Sequence, residues 1–259
     1  GEAAEADGGE TDEAGQLIDD KTTELERALY ALRHMRFDSE DAVPSSSTLT
    51  EEPRMGRDVR MLERLREAFR ERAVWLETAL LRRLPASADE TTLTRLLPFV
   101  AYQWIDGPWQ KGYTRLGWDP RECPEEAAPL QVLQFRDPHW QAGDEQKPVD
   151  HTFRRPPSQK TQCYQLTDLM DDFVTSLIGS CDLQDECCKK SGWLAPFIFD
   201  ALRDRLSLRS QMLRERLAAK AAAEKASVKA AGRGQKRRGA APGRGRGGGR
   251  AKKTRTGGG

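Results

Sequence analysis

The chain has 259 residues, 42 Lys or Arg against 41 Asp or Glu, with 37% hydrophobic and 32% charged content; that is room for one or two domains of about 100–200 residues and for a core that needs neither disulfides nor metal. No apolar run approaches the roughly 18 residues of a membrane span, and five cysteines without a signal peptide point to a reducing compartment rather than a disulfide framework. The near-zero net charge conceals segregation. Residues 1–20 hold eight acids and no Lys or Arg, whereas residues 229–259 hold eleven Lys or Arg and no acid, leaving the rest of the chain with 31 basic against 41 acidic residues. Such blocks read as interaction tails, and a basic one favours polyanions such as nucleic acid.

Residues 1–20, rich in Glu, Asp, Ala and Gly, are expected to be a disordered acidic arm, unable to offset the entropy of folding. Residues 21–54 read as a helix plus a linker: Leu25, Ala28, Leu29, Leu32 and Met35 fall at helical spacing, and AVPSSSTLTEEP follows. A helix is predicted from Arg57 to Glu71 on Val59, Leu62, Leu65 and Phe69. A short strand within Arg72 to Trp75 comes next, then a helix from Leu76 to Leu84 stopped by Pro85. Ser87 or Asp89 caps the next predicted helix, Glu90 to Trp104, whose inner face is Leu93, Leu96, Leu97, Val100, Ala101 and Trp104. Pro98 lies inside that pattern, at a cost of about 3 kcal/mol or a bend, and Gly107-Pro108 ends it.

Residues 111–118 (KGYTRLGW) alternate enough for a strand, WDPRECP is a turn, and Leu130 to Phe135 (LQVLQF) is the predicted partner strand. This order is that of a winged helix-turn-helix, a three-helix core carrying a β-hairpin wing. The predicted fold is therefore α+β, mainly α, with the winged-helix core over residues 55–137. A C-terminal helical extension over residues 138–217 is expected to pack on it: a polar loop, a helix from Asp168 as N-cap to Ile178 with Leu169, Phe173 and Leu177 on one face, a cysteine-bearing loop, and a long helix from Pro196. Residues 218–259 grade into Gly/Arg/Lys low complexity and are expected to be disordered.

Within this frame the cations are the candidates for DNA contact, since a helix fits the major groove and hairpin cations can follow the phosphates. They are Arg82, Arg83 and Arg95 on the predicted helices, and Lys111, Arg115 and Arg121 around the wing. In the tail, Lys236, Arg237 and Arg238 fit nuclear import, and Arg-Gly units including Arg244 and Arg246 add phosphate binding blind to sequence. The three tryptophans Trp104, Trp109 and Trp118 are expected in the core rather than against bases. Cys181, Cys187 and Cys188 lack a Cys-x-x-Cys pair, so no metal site is expected. The Asp171-Asp172 pair reads as a solvated helix face. No nucleophile–base spacing and no GxxxxGK loop are present, so neither an enzyme nor a cofactor is expected.

GPWQKGYTRLGWDPRECP followed by LQVLQFR resembles the signature of transcription factor IIIC subunit 5, with LLPFVAYQW upstream and CYQLTDL and GWLAPFIFDALRD downstream. The resemblance covers about residues 43–215. It implies a subunit of the RNA polymerase III assembly factor that binds double-stranded DNA at the internal A-box promoter of tRNA genes, in the nucleus, without catalysis. It also implies Arg at positions 115 and 121. Gln110 departs from the Arg common in the family, and Leu130 and Gln134 replace a Tyr and an Asp. The family's tail is acidic and thought to mask DNA binding, where this one is basic. The family's N-terminal dimerisation barrel, which pairs with the subunit-6 partner among the other subunits, has no counterpart here, and Gly1 in place of Met is read as the start of a fragment. Two other readings stay open: a protein-interaction scaffold within a transcription assembly, and a nonspecific RNA or DNA binder acting through its Arg-Gly tail.

Overall fold

The structure, a computed structural model, describes residues 31–54 and 56–238. Strand β1 (His34–Met35) comes first. It stands where helical spacing was expected to run through Met35, because His34 and Met35 pair in parallel with Gln103 and Trp104. Residues 21–30 of that predicted helix lie outside the described residues. Helix α1 (Gly56–Glu71) buries Met61, Leu62, Leu65, Ala68 and Phe69, a stripe at i, i+1, i+4, i+7 and i+8. Strand β2 (Val74–Trp75) and helix α2 (Glu77–Arg83) follow. The Trp75 indole donates to the Ala68 and Arg72 carbonyls at 3.1 and 2.9 Å. It thereby adds a second donor to the Ala68 carbonyl, which already accepts the Arg72 amide at 3.0 Å, and supplies one to the Arg72 carbonyl past the helix end.

Helix α3 (Glu90–Leu96) is capped by Asp89, whose carboxylate accepts the Thr92 amide at 2.7 Å. It stops far short of Trp104. Pro98 cannot donate to the ladder and its ring collides with the preceding turn, so Leu97–Phe99 tightens into a 3₁₀ turn. The chain then becomes strand β3 (Ala101–Trp104), hydrogen-bonded on both sides, to β1 and to β4 (Tyr113–Arg115). The four-stranded sheet has the order β1-β3-β4-β2.

A short helix α4 (Pro124–Ala127) leads to strand β5 (Val132–Arg136), and its mate is β6 (Thr161–Gln165). The expected hairpin of 111–118 with 130–135 is thus corrected: β4 pairs with β3 and β2, and β5 pairs along its whole length with β6. Helix α5 (Asp172–Ser180) is capped by Asp171 rather than Asp168. Asp168 instead receives Arg72 at 2.6 Å. Asp171 is not on a solvated face. It is 4% exposed and takes Arg205 at 3.0 Å and Arg209 at 2.6 Å. Phe173, expected inward, is exposed beneath Arg205.

Helix α6 spans Pro196–Arg238. Residues 218–238 therefore continue a helix where disorder was expected, as Ala, Lys, Arg and Glu favour one. The chain divides into two units at Leu213. In the first, one apolar cluster joins α1, α2 and α3 around Leu65, Phe69 and Leu80. The other gathers Tyr102, Trp104, Trp109, Phe135, Phe153, Tyr164, Trp193 and Leu202. Trp104, Trp109 and Trp118 are all buried, as expected of core residues.

Candidate nucleic-acid interface

The six cations picked out in sequence divide into those the fold consumes and those it presents. Arg121 is consumed. Its guanidinium donates to the Phe37 and Ser39 carbonyls at 3.0 and 2.7 Å, clasps Asp119 at 2.7 Å and lies 5.4 Å from the Trp104 ring. The bonds to Asp119 raise its already high pKa, so it is a fixed cation that ties the Asp119-Pro120 turn to the segment after β1. Arg115 sends its guanidinium back to the Phe69 carbonyl at 3.1 Å and steadies the end of α1. Arg95 holds Asp58 at 2.8 Å, pinning α3 to α1. Arg83 clasps Glu71 at 2.7 Å, where both side chains are about half exposed; such a pair contributes little. Buried or turn-end carbonyls thus hold the guanidinium groups of Arg115 and Arg121 within the fold.

The connection between β3 and β4 is also no free wing. Trp109 is fully buried and its indole donates to the Ala127 carbonyl at 3.2 Å. The Val132 amide donates to the Pro108 carbonyl at 2.7 Å. Gly107 turns at φ +82, with its α-carbon so close to Phe37 that an added Cβ would meet that ring at 3.0 Å. The hairpin tip is thereby plugged into the β5–β6 half of the molecule.

Lys111 and Arg82 are presented. Lys111, at φ +67, is exposed and lines a cavity of about 290 Å³ between the four-stranded sheet and the β5–β6 pair, with Gln103, Gln134, Gln159 and Thr161 on its walls. Val149 lines this cavity and also a second one of about 290 Å³, whose rim carries Arg82, His151, Arg154 and Arg155. One groove thus runs from Lys111 past Val149 to three arginines. Spacing had no means of joining Arg82 to Arg154 and Arg155.

Local chemistry explains the arginine end. The Asp150 carboxylate accepts the Thr152 amide at 3.0 Å, its hydroxyl at 2.7 Å and the Arg155 amide at 2.9 Å. Burial works against the ionised form, but these hydrogen bonds win and hold the Asp150 carboxyl below its ordinary range. Phe153, at φ +57, is driven inward against Phe135 and Tyr164, which leaves Arg154 and Arg155 facing solvent. Among the described residues, Arg82, Lys111, Arg154 and Arg155 form no ion pair. At the Lys111 end Glu77 also lines the cavity, its carboxyl pushed up by burial and the nearby Glu90. Exposed amides at Gln134 and Gln159 can donate and accept, as base edges and phosphates require. The Arg154-Arg155 pair beside Pro156-Pro157 was the signal in the sequence that the helical and wing reasoning passed over. In the tail, Lys236, Arg237 and Arg238 close α6, and Arg244 and Arg246 lie outside the described residues.

Three helices with α2 and α3 set around a short turn, flanked by a small sheet and a cationic groove, define a helix-turn-helix class of domain. The family model for the RNA polymerase III transcription factor (TF)IIIC subunit HTH domain matches residues 8–136. Transcription factor tau subunit sfc1 of Schizosaccharomyces pombe is 31% identical over 160 residues, 61% of this chain and 33% of that protein. General transcription factor 3C polypeptide 5 of Homo sapiens is 26% identical over 226 residues, 64% of this chain and 42% of that protein. The solved structure Sfc1-DBD superposes with a TM-score of 0.58 at 26% identity, covering 71% of this chain and 89% of that one. The chain belongs to the transcription factor IIIC subunit 5 family. It spans a third to two-fifths of the length of these two curated relatives.

Proposed function

We propose that this chain is a non-enzymatic double-stranded DNA-binding module, a winged helix-turn-helix with a C-terminal extension, acting within transcription factor IIIC in the nucleus. In this reading it recognises the internal A-box promoter of tRNA genes and helps recruit the polymerase III initiation machinery together with other subunits, a subunit-6-like partner among them. The single observation that carries it is the likeness to Sfc1-DBD over 89% of that domain, and the groove gives it a mechanism. Lys111, Arg82, Arg154 and Arg155 supply phosphate contacts that fix register, while α3 and the groove amides supply contacts to base edges. The basic tail adds salt-sensitive affinity.

The experiment is fluorescence anisotropy of a labelled A-box duplex across a salt series. Replacing Arg82, Lys111, Arg154 and Arg155 by Gln together is expected to weaken binding at least tenfold. The log–log salt slope should flatten by about 0.9 for each phosphate left without its cation. Unchanged affinity and slope would remove the groove from the interface. One observation favours a second reading, an interaction scaffold inside the assembly: the β3–β4 tip is buried in the fold rather than extended for a groove. That reading expects equal binding to A-box and scrambled duplexes.

A further inference from the structure

Helix α1 carries Arg57, Arg60 and Arg64, spaced i, i+3 and i+7 and so aligned on one line of the helix. That line faces a cleft of about 460 Å³ whose opposite wall is Pro85 and Ser87, in the turn between α2 and α3, with Met61 on its floor. Among the described residues, no acid lines it. Two neighbouring acids are engaged elsewhere: Asp58 holds Arg95 at 2.8 Å and Glu71 holds Arg83 at 2.7 Å. Glu67 reaches Arg64 at 2.9 Å, but those side chains are 47% and 60% exposed, and an exposed i,i+3 pair is weak enough for a stronger anion to displace it. Asp89 at the start of α3 lies close enough to feel the cleft: hydrogen bonds from Thr92 lower its pKa, and the charges of Arg57 and then Arg95 lower it further. The cleft therefore opens beside the first turn of α3, lined by three arginines and Ser87, with Arg64 also reaching Glu67. Sequence spacing alone gives these arginines no mark that sets them apart from the other cations of α1.

We infer that the Arg57–Arg60–Arg64 cleft is a phosphate-binding site, gripping the DNA backbone next to the first turn of α3. The inference rests on the DNA-binding reading and adds to it a second set of backbone contacts, on α1 and separate from the Lys111–Arg155 groove. The chemistry fits: guanidinium forks match phosphate oxygens in pairs. The geometry fits as well, because in a helix-turn-helix the elements around the recognition helix cross the backbone while that helix enters the major groove. Backbone contacts of this kind set affinity and register without reading sequence.

The test uses the full chain and a 30-base-pair duplex in anisotropy across salt concentrations. Three variants are compared with wild type: Arg57→Gln/Arg60→Gln/Arg64→Gln, the same positions changed to Lys, and Arg66→Gln/Arg70→Gln as a control that removes charge from α1 outside the cleft. The Gln triple is expected to lose tenfold or more in affinity at low salt, equally on A-box and scrambled duplexes, with a slope smaller by up to roughly 2.7. The Lys triple is expected to keep the slope and lose part of the affinity, and the control to change little. Unfolding curves matching wild type are expected for all three, since the side chains are at the surface. If wild type binds and the Gln triple keeps its slope, or the control loses as much, the cleft is overturned and the DNA-binding reading survives. If wild type binds no duplex, the DNA-binding reading falls and takes the cleft with it.

Discussion

Arg121 separates a residue that contacts DNA from one that holds the fold together. The perturbation is Arg121→Met, which keeps an apolar stem against Trp104 and removes the guanidinium. In the structure that group donates to two carbonyls, at 3.0 and 2.7 Å, and to the Asp119 carboxylate at 2.7 Å. Hydrogen bonds to charged groups contribute about 1.5–3 kcal/mol each. The Arg121 side chain is 20% exposed and that of Asp119 10%, so water recovers part of the loss, while Asp119 is left half-stranded. The expected net loss is about 3 kcal/mol, at the lower bound for breaking a pair out of water. For a unit of this size that lowers Tm by roughly 6–12 °C, at 2–4 °C per kcal/mol. Calorimetry and urea unfolding read the stability, and anisotropy well below Tm reads DNA binding, where the salt slope is expected to match wild type. A variant with unchanged Tm and reduced DNA affinity would refute the reasoning and return Arg121 to the interface.

Two further predictions concern the extension. Asp171→Asn keeps a cap on α5 but leaves Arg205 and Arg209 without their carboxylate, and it is expected to cost about 3 kcal/mol in urea unfolding at neutral pH. Burial opposes the Asp171 charge, yet bonds from Arg205 and Arg209 hold its folded pKa below the ordinary value. Its stabilisation is therefore present above an ordinary carboxylate pKa of about 3.9 and is lost as pH falls through the depressed folded value; the wild-type acid limb should flatten in the Asn variant. Gly192→Ala is expected to cost at least about 3 kcal/mol, because φ is +59 and the new methyl would press into the buried Gln131 amide and sit 2.9 Å from Pro108. A Tm within 2 °C of wild type, less than about 1 kcal/mol, would show that the backbone there can shift freely.

Much of the α1–β2–α2 region was legible because its apolar spacing is the burial pattern itself: Leu62, Leu65 and Phe69 are the residues the core takes. The end of α3 was not. Leu97, Ala101 and Trp104 are buried whether the chain is helix or strand, so periodicity could not separate the two, and only Pro98 marked the change. Strand β5 was visible as LQVLQF, but its partner at Thr161–Gln165 lies across a long loop, and pairing at that distance leaves no local trace. The same limit governs the site. Arg115 and Arg121 look like wing cations until the Phe69, Phe37 and Ser39 carbonyls are brought to them. Arg154 and Arg155 acquire meaning only when the loop sets them beside Arg82.

The most direct test of the DNA-binding account is the affinity of the chain for an A-box duplex and for a scrambled duplex of equal composition, measured side by side at physiological salt. Phosphate contacts alone cannot tell the two apart. The account predicts that the A-box duplex binds at least tenfold tighter, about 1.4 kcal/mol. Equal affinity for both would contradict it and leave a module that holds its assembly together while another subunit reads the promoter.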